Sequence, residues 1–147
     1  MYVKKATLTD LDELVSLFDR YRLFYKMPSD ETSCRNFLQK RLERNESVIY
    51  IAFSENHEAI GFTQLYPLFS STRMKRLWLL NDLYIKINGR GKGYGEALIQ
   101  KAKSLCRESD SCGMMLETDI DNFAANNLYK KTDFALDKNH NYYTWDW

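Results

Sequence analysis

Apolar residues in the first part of the chain recur at the three- and four-residue steps of a helix. Leu11, Leu14, Val15, Phe18, Tyr21 and Tyr25 share one face, which predicts an amphipathic helix running to about Tyr25 and stopped by Pro28. Thr9 with Asp12 resembles a capping box, and Asp10, Asp12 and Glu13 suit the positive helix end. A short strand over residues 2–6 precedes it. Ser29 or Asp30 can cap a second helix, with Phe37, Leu38, Arg41 and Leu42 on one face, that finishes near Asn45. The pattern then changes. Residues 48–53 are β-branched and aromatic and read as a strand, 55–58 as a hairpin turn, and 59–66 as the partner strand. After a polar loop at 70–73, residues 77–85 form a strongly apolar strand broken by Asn81 and Asp82. A buried strand has no use for two unpartnered polar side chains, so either the strand bulges there or the pair lines a cavity.

Downstream of that strand lies a glycine-rich turn at 88–95, then a helix with Ala97, Leu98, Lys101, Ala102 and Leu105 at helical spacing. Residues 114–118 read as another strand, so the segment is a βαβ unit with two parallel strands. A short helix over 123–131 and two terminal strands, 134–136 and 142–147, complete a mixed α/β (α+β) domain. At 147 residues the expectation is one domain, 1–147, with one site. No apolar run approaches the ~20 residues of a membrane helix, and no signal-peptide core follows Lys4 and Lys5, so a cytoplasmic protein is expected. A net charge of +1 advertises no partner among nucleic acids or membranes. Cys34, Cys106 and Cys112 are odd in number without a Cys-x-x-Cys, and His57 and His140 are isolated, so neither a disulfide framework nor a metal site is expected.

The chemistry concentrates in the glycine-rich turn. A strand entering such a turn and opening a helix holds phosphate through backbone N–H groups and the helix dipole. Gly91, Gly93 and Gly95 permit close approach, and Arg90 and Lys92 favour an anion. A P-loop is excluded because Gly-x-x-x-x-Gly-Lys-Ser/Thr is absent. A dinucleotide fingerprint from Gly91 places Glu96 where Gly or Ala is required, and about fifty residues are too few for the rest of a doubly wound sheet.

Arg90-x-x-Gly93-x-Gly95 instead resembles the Arg/Gln-x-x-Gly-x-Gly/Ala signature of the GNAT N-acetyltransferase superfamily. Residues 80–85 look like the strand that precedes it in that family. Asn122-x-x-Ala125-x-x-Leu128-Tyr129-x-x-x-Asp133-Phe134 is similar to a second family motif, with Asp133 replacing a glycine. The resemblance implies a mostly antiparallel mixed sheet of about seven strands, splayed between two central parallel strands and flanked by about four helices. It also implies acetyl-CoA as co-substrate and no metal. Leu83, Tyr84 and Ile85 would hydrogen-bond the pantetheine arm, and Arg90, Gly91, Lys92, Gly93, Tyr94 and Gly95 would grip the pyrophosphate. Asn122 would sit beside the cofactor, with Tyr129 near its sulfur as general acid.

On the acceptor side, residues 61–71 and 80–84 look most like the histone/polyamine-type branch, although Asn81 stands where the polyamine enzymes carry an acid. An alkylamine with a pKa near ~10.4 must lose a proton before attack, which makes Asp82 and Glu117 candidate acceptors, acting directly or through water. Tyr21, Tyr25, Gln64, Tyr66 and Asn81 could line the acceptor pocket, the aromatic faces suiting a cation. The expected partner is an amine, of a small molecule or a protein lysine, and the aromatic end 142–147 suggests a homodimer. Two rival readings remain at this point: a non-catalytic acyl-CoA-binding sensor or interaction domain, and a small nucleotide-binding protein.

Overall fold

The computed structural model describes residues 1–147, which fold as two compact units, Met1–Glu117 and Thr118–Trp147. The first unit holds five strands, β1 (Tyr2–Lys5), β2 (Val48–Phe53), β3 (Ala59–Ser70), β4 (Lys75–Ile85) and β5 (Met114–Met115), with helices α1 (Leu11–Phe24), α2 (Glu31–Glu43) and α3 (Tyr94–Glu108). Neighbours pair in chain order, β1 to β4 antiparallel and β4 to β5 parallel. The parallel pair joined by α3 is the βαβ unit read from the sequence. The second unit carries α4 (Phe123–Lys131).

The continuous apolar run of β2 reflects a sheet covered on both faces. Ile49, Ile51 and Phe53 join Phe62 of β3 with Leu14, Val15 and Leu17 of α1 and Cys34 and Leu38 of α2 in one buried cluster. Tyr50 points the other way, where burial and the nearby Glu108 and Cys106 of the α3 segment push its phenol up. Leu98, Ile99 and Ala102 give α3 its buried face.

Several boundaries differ from the sequence expectation. The capping box forms at Thr7 and Asp10 rather than Thr9 and Asp12, because a 3-10 turn, Leu8–Asp10, precedes α1. Asp10 Oδ2 accepts from the Thr7 backbone N–H at 2.9 Å. Asp30, not Ser29, caps α2, accepting from the Ser33 N–H at 2.9 Å. The β3–β4 hairpin extends to Ser70 and Lys75, so the loop between them is short. The larger correction is to the strand count: five strands form rather than about seven. Residues 134–136 and 142–147 adopt no strand. Asp137 instead turns the chain there, its carboxylate accepting from the backbone N–H groups of Asn139 and His140 at 2.8 and 3.2 Å. Aromatic alternation supplies a strand-like pattern but no ladder to complete it.

Candidate active site

The break in the apolar strand is a β-bulge. Gln64 pairs with Asp82 and Leu65 with Leu80, leaving Asn81 as the extra residue of β4. One extra residue reverses the alternation of faces. Trp78 accordingly points toward the α3 side, where its indole N–H donates to Ser109 Oγ at 2.9 Å, while Asp82 points toward α1. Without the bulge Asp82 would share the face of Trp78 and Leu80 and never meet α1.

Asp82 is 3% exposed and Gln64 fully buried. Gln64 Nε2 donates to Asp82 Oδ2 at 2.7 Å and Asn81 Nδ2 to Oδ1 at 3.1 Å. The Tyr21 hydroxyl on α1 stands beside the carboxylate and favours its charged form. Burial nevertheless outweighs these donors and raises the Asp82 carboxyl above its usual range. Burial also raises the Tyr21 phenol, with the Asp82 carboxylate adding to the shift. Tyr66 is pushed up to about 12 by burial and by Asp82. Tyr25 packs edge-on against Tyr21, ring centroids 5.1 Å apart. The structure therefore brings Tyr21, Gln64, Tyr66 and Asn81 to Asp82, with Tyr25 packed against Tyr21. Glu117 lies exposed two residues past β5 and is not among the groups bonded to that carboxylate.

Thr63, absent from the sequence reading, belongs to this site. Its buried hydroxyl donates to the Asp82 carbonyl at 2.8 Å and so pins the bulge. A polar residue inside the otherwise apolar start of β3 was the available signal.

The second part of the site is the turn between β4 and α3. Gly91 and Gly93 have φ of 72° and 83°, the left-handed region that side chains with a Cβ rarely adopt. Space above Gly91 is open to at least 4 Å. Gly93 caps α3, whose first-turn N–H groups have no carbonyl one turn back to bond. Arg90 and Lys92 are exposed beside them. Arg90 Nε donates to the Ile85 carbonyl at 3.2 Å, and its guanidinium lies 5.7 Å from the Phe24 ring centroid. β5 pairs with β4 only at Trp78 and Leu79, so the β4 edge over Leu83, Tyr84 and Ile85 has no strand on that side.

In the second unit, Asn122 caps α4, its Oδ1 accepting from the Ala125 N–H at 3.2 Å. Tyr129 is half-buried with Phe134 edge-on at 5.7 Å. Asp133 has φ of 63°, the backbone state expected where the second motif ordinarily carries glycine. No group of three or more His, Cys, Asp or Glu side chains could hold a metal ion, and no helix is long and apolar enough to cross a membrane.

Residues 11–134 match the Acetyltransferase (GNAT) family. The chain is 42% identical over 137 residues to the uncharacterized N-acetyltransferase YhfO of Bacillus subtilis (strain 168), spanning 93% of this chain and 91% of that one. It is 33% identical over 117 residues to a "Probable acetyltransferase" of Haemophilus influenzae, spanning 80% of each. A crystal structure described as that of "a probable acetyltransferase" aligns with a TM-score of 0.95 at 42% identity, over 99% of this chain and 97% of that one. With the family matched over residues 11–134 and these relatives aligned over most of its length, the chain belongs to the GNAT family of acetyltransferases.

Proposed function

We propose that the protein, as one catalytic domain over 1–147, transfers acetyl from acetyl-CoA to a primary amine by direct attack in a ternary complex. The observation that carries this reading is the buried Asp82 carboxylate at the β4 bulge, bonded by Gln64 and Asn81 with the Tyr21 hydroxyl beside it. A protonated amine needs a proton acceptor before it can attack, and a carboxyl raised by burial is a better-matched base than an ordinary one. The aromatic rings of Tyr21, Tyr25 and Tyr66 suit an acceptor that arrives as a cation, a small amine or a protein lysine. On the likeness of residues 61–71 and 80–84 we place it nearest to the histone/polyamine-type branch.

The residues present fit acetyl-CoA, which would supply an acetyl thioester. The left-handed glycines, the open space over Gly91, the α3 N-terminus and the cations Arg90 and Lys92 suit a pyrophosphate. The open β4 edge offers Leu83, Tyr84 and Ile85 to the amides of the pantetheine arm as a neighbouring strand would. A backbone N–H near Leu83 would stabilise charge on the acetyl oxygen. Asn122 is assigned to the cofactor, and Tyr129 to protonating the departing thiolate, on the motif they belong to. Glu117 remains a second candidate base, from its place after β5.

The test is CoA release over a panel of amines, together with the rise in melting temperature on adding acetyl-CoA. Release with one or more amines is expected. A melting-temperature rise with no release for any amine would instead identify a non-catalytic acyl-CoA sensor. Gly93→Val forces a β-branched residue into left-handed backbone at the turn and should abolish the rise. Tyr129→Phe should lower turnover by roughly ten- to ten-thousand-fold with little change in acetyl-CoA binding.

A homodimer is proposed on the exposed aromatic end. Tyr143, Trp145 and Trp147 alternate with Tyr142, Thr144 and Asp146, and all four of the aromatic residues are exposed. Such a segment can complete a sheet edge of a second copy. Sedimentation showing only monomer at micromolar concentration would remove the assembly.

A further inference from the structure

The proposed base is too deeply placed to meet the amine itself. Asp82 is 3% exposed; Gln64 and Asn81 donate to its oxygens, and the Tyr21 hydroxyl stands beside it. Gln64 and Asn81 present amide N–H groups, which donate hydrogen bonds but do not relay protons at ordinary pH. A hydroxyl differs, because it can accept a proton on its lone pair while giving up the one it carries. Tyr21 is half-buried, standing between the carboxylate and the more exposed Tyr25. Its ring is held by Phe18 at 6.0 Å and edge-on by Phe62 at 5.9 Å, so the hydroxyl is fixed in direction. Gln64 Oε1 is buried without a hydrogen-bond partner, so the amide is oriented by its Nε2 bond to Asp82 Oδ2.

Resting on the amine-acetylation reading, we propose that Tyr21 is the proton relay between the acceptor ammonium and Asp82. The ammonium N–H bond breaks as the Tyr21 oxygen takes its proton, and the Tyr21 O–H bond breaks as Asp82 takes that one. Tyrosine is neutral before and after, the amine gains its lone pair, and the carboxylate becomes a neutral acid. Acetyl transfer from an ammonium leaves one net proton for solvent, so Asp82 is reset through the same hydroxyl. The raised phenol of Tyr21 agrees with this role, since a relay need never exist as phenolate. Tyr66 on β3 senses the same carboxylate through space, with Arg41 of α2 acting on it in the opposite direction.

The experiment compares ethylamine with 2,2,2-trifluoroethylamine, whose fluorines make its ammonium acidic enough that the free amine dominates at neutral pH and no proton need leave before attack. At saturating acetyl-CoA, Tyr21→Phe should lower kcat/KM for ethylamine about a hundred-fold or more and for trifluoroethylamine by less than about tenfold. Tyr21→Phe with Asp82→Asn should be no slower on ethylamine than Asp82→Asn alone, as for groups acting as a unit. Equal losses on the two amines, or multiplying losses in the double variant, overturn the relay. If Tyr21→Phe fails to fold, the unmodified enzyme decides: its ethylamine rate in mixed light and heavy water should curve as two moving protons require, and a straight line overturns the proposal. CoA release with neither amine from the unmodified enzyme overturns the underlying small-amine reading, and the relay with it.

Discussion

Of the buried carboxylates of the first unit, Asp10, Asp19 and Asp82, two respond oppositely to their surroundings: Asp19 at the junction of α1 and α2 and Asp82 at the β4 bulge. Asp19 accepts from the Asp30 backbone N–H at 2.8 Å, the Ser29 hydroxyl at 2.7 Å and the Cys34 thiol at 3.8 Å. Asp82 has two amide donors, Gln64 and Asn81, with the Tyr21 hydroxyl beside it. The backbone N–H of Asp30 is the main cause that holds the Asp19 carboxyl below its ordinary value, with Ser29 next and the Arg22 guanidinium helping. Burial carries Asp82 the other way, no cation being among the causes that act on it. Counting donors therefore does not decide ionisation. A fixed peptide dipole and a nearby cation favour the charge, while mid-sheet burial against phenols and amides disfavours it. Asp19 ties a loop down; Asp82 is set to take up a proton.

The largest effect that would sharpen this contrast is on turnover. Asp82→Asn keeps the volume and should lower amine acetylation by roughly a hundred- to ten-thousand-fold, read as CoA release, while Asp19→Asn in the folded state should leave the rate within a few-fold. Comparable losses from the two would erase the distinction. Next is stability: Asp19→Ala strands the Asp30 N–H and the Ser29 hydroxyl and should cost about 1–3 kcal/mol in urea unfolding.

Acid should separate the two carboxylates by sign. The Asp19 contribution is fully present above the unfolded carboxyl value near ~3.9 and is lost as pH falls through its lower folded value. The Asp82 carboxylate, raised on folding, burdens the native state at neutral pH, and that burden lifts as pH falls through its folded value. Unfolding free energies from about pH 7 to about pH 3 should thus show the advantage of the unmodified protein over Asp19→Asn shrinking on acidification. Its difference from Asp82→Asn should move in the favourable direction, and parallel slopes would refute the assignment. Smallest is Ser29→Ala, which removes one of the Asp19 donors and should cost about 1 kcal/mol with no change in turnover.

Local pattern alone was enough for the helices, the βαβ unit and the glycine turn, because a helix face, a strand alternation or a left-handed glycine is written within a few consecutive residues. The polar pair Asn81 and Asp82 inside an apolar run announced a bulge or a lined cavity for the same reason. Which face Asp82 would choose was not local: it depends on Gln64, 18 positions away, Thr63, 19 positions away, and Tyr21 on α1. Nor could alternation in residues 142–147 decide whether a strand would form, since a strand exists only with a neighbour to bond. The sequence by itself determined the elements and the signature that identifies the family. The tertiary structure alone decided the register of β3 against β4, and with it which side chains surround the buried carboxylate, because a one-residue bulge turns a side chain from one face of a sheet to the other.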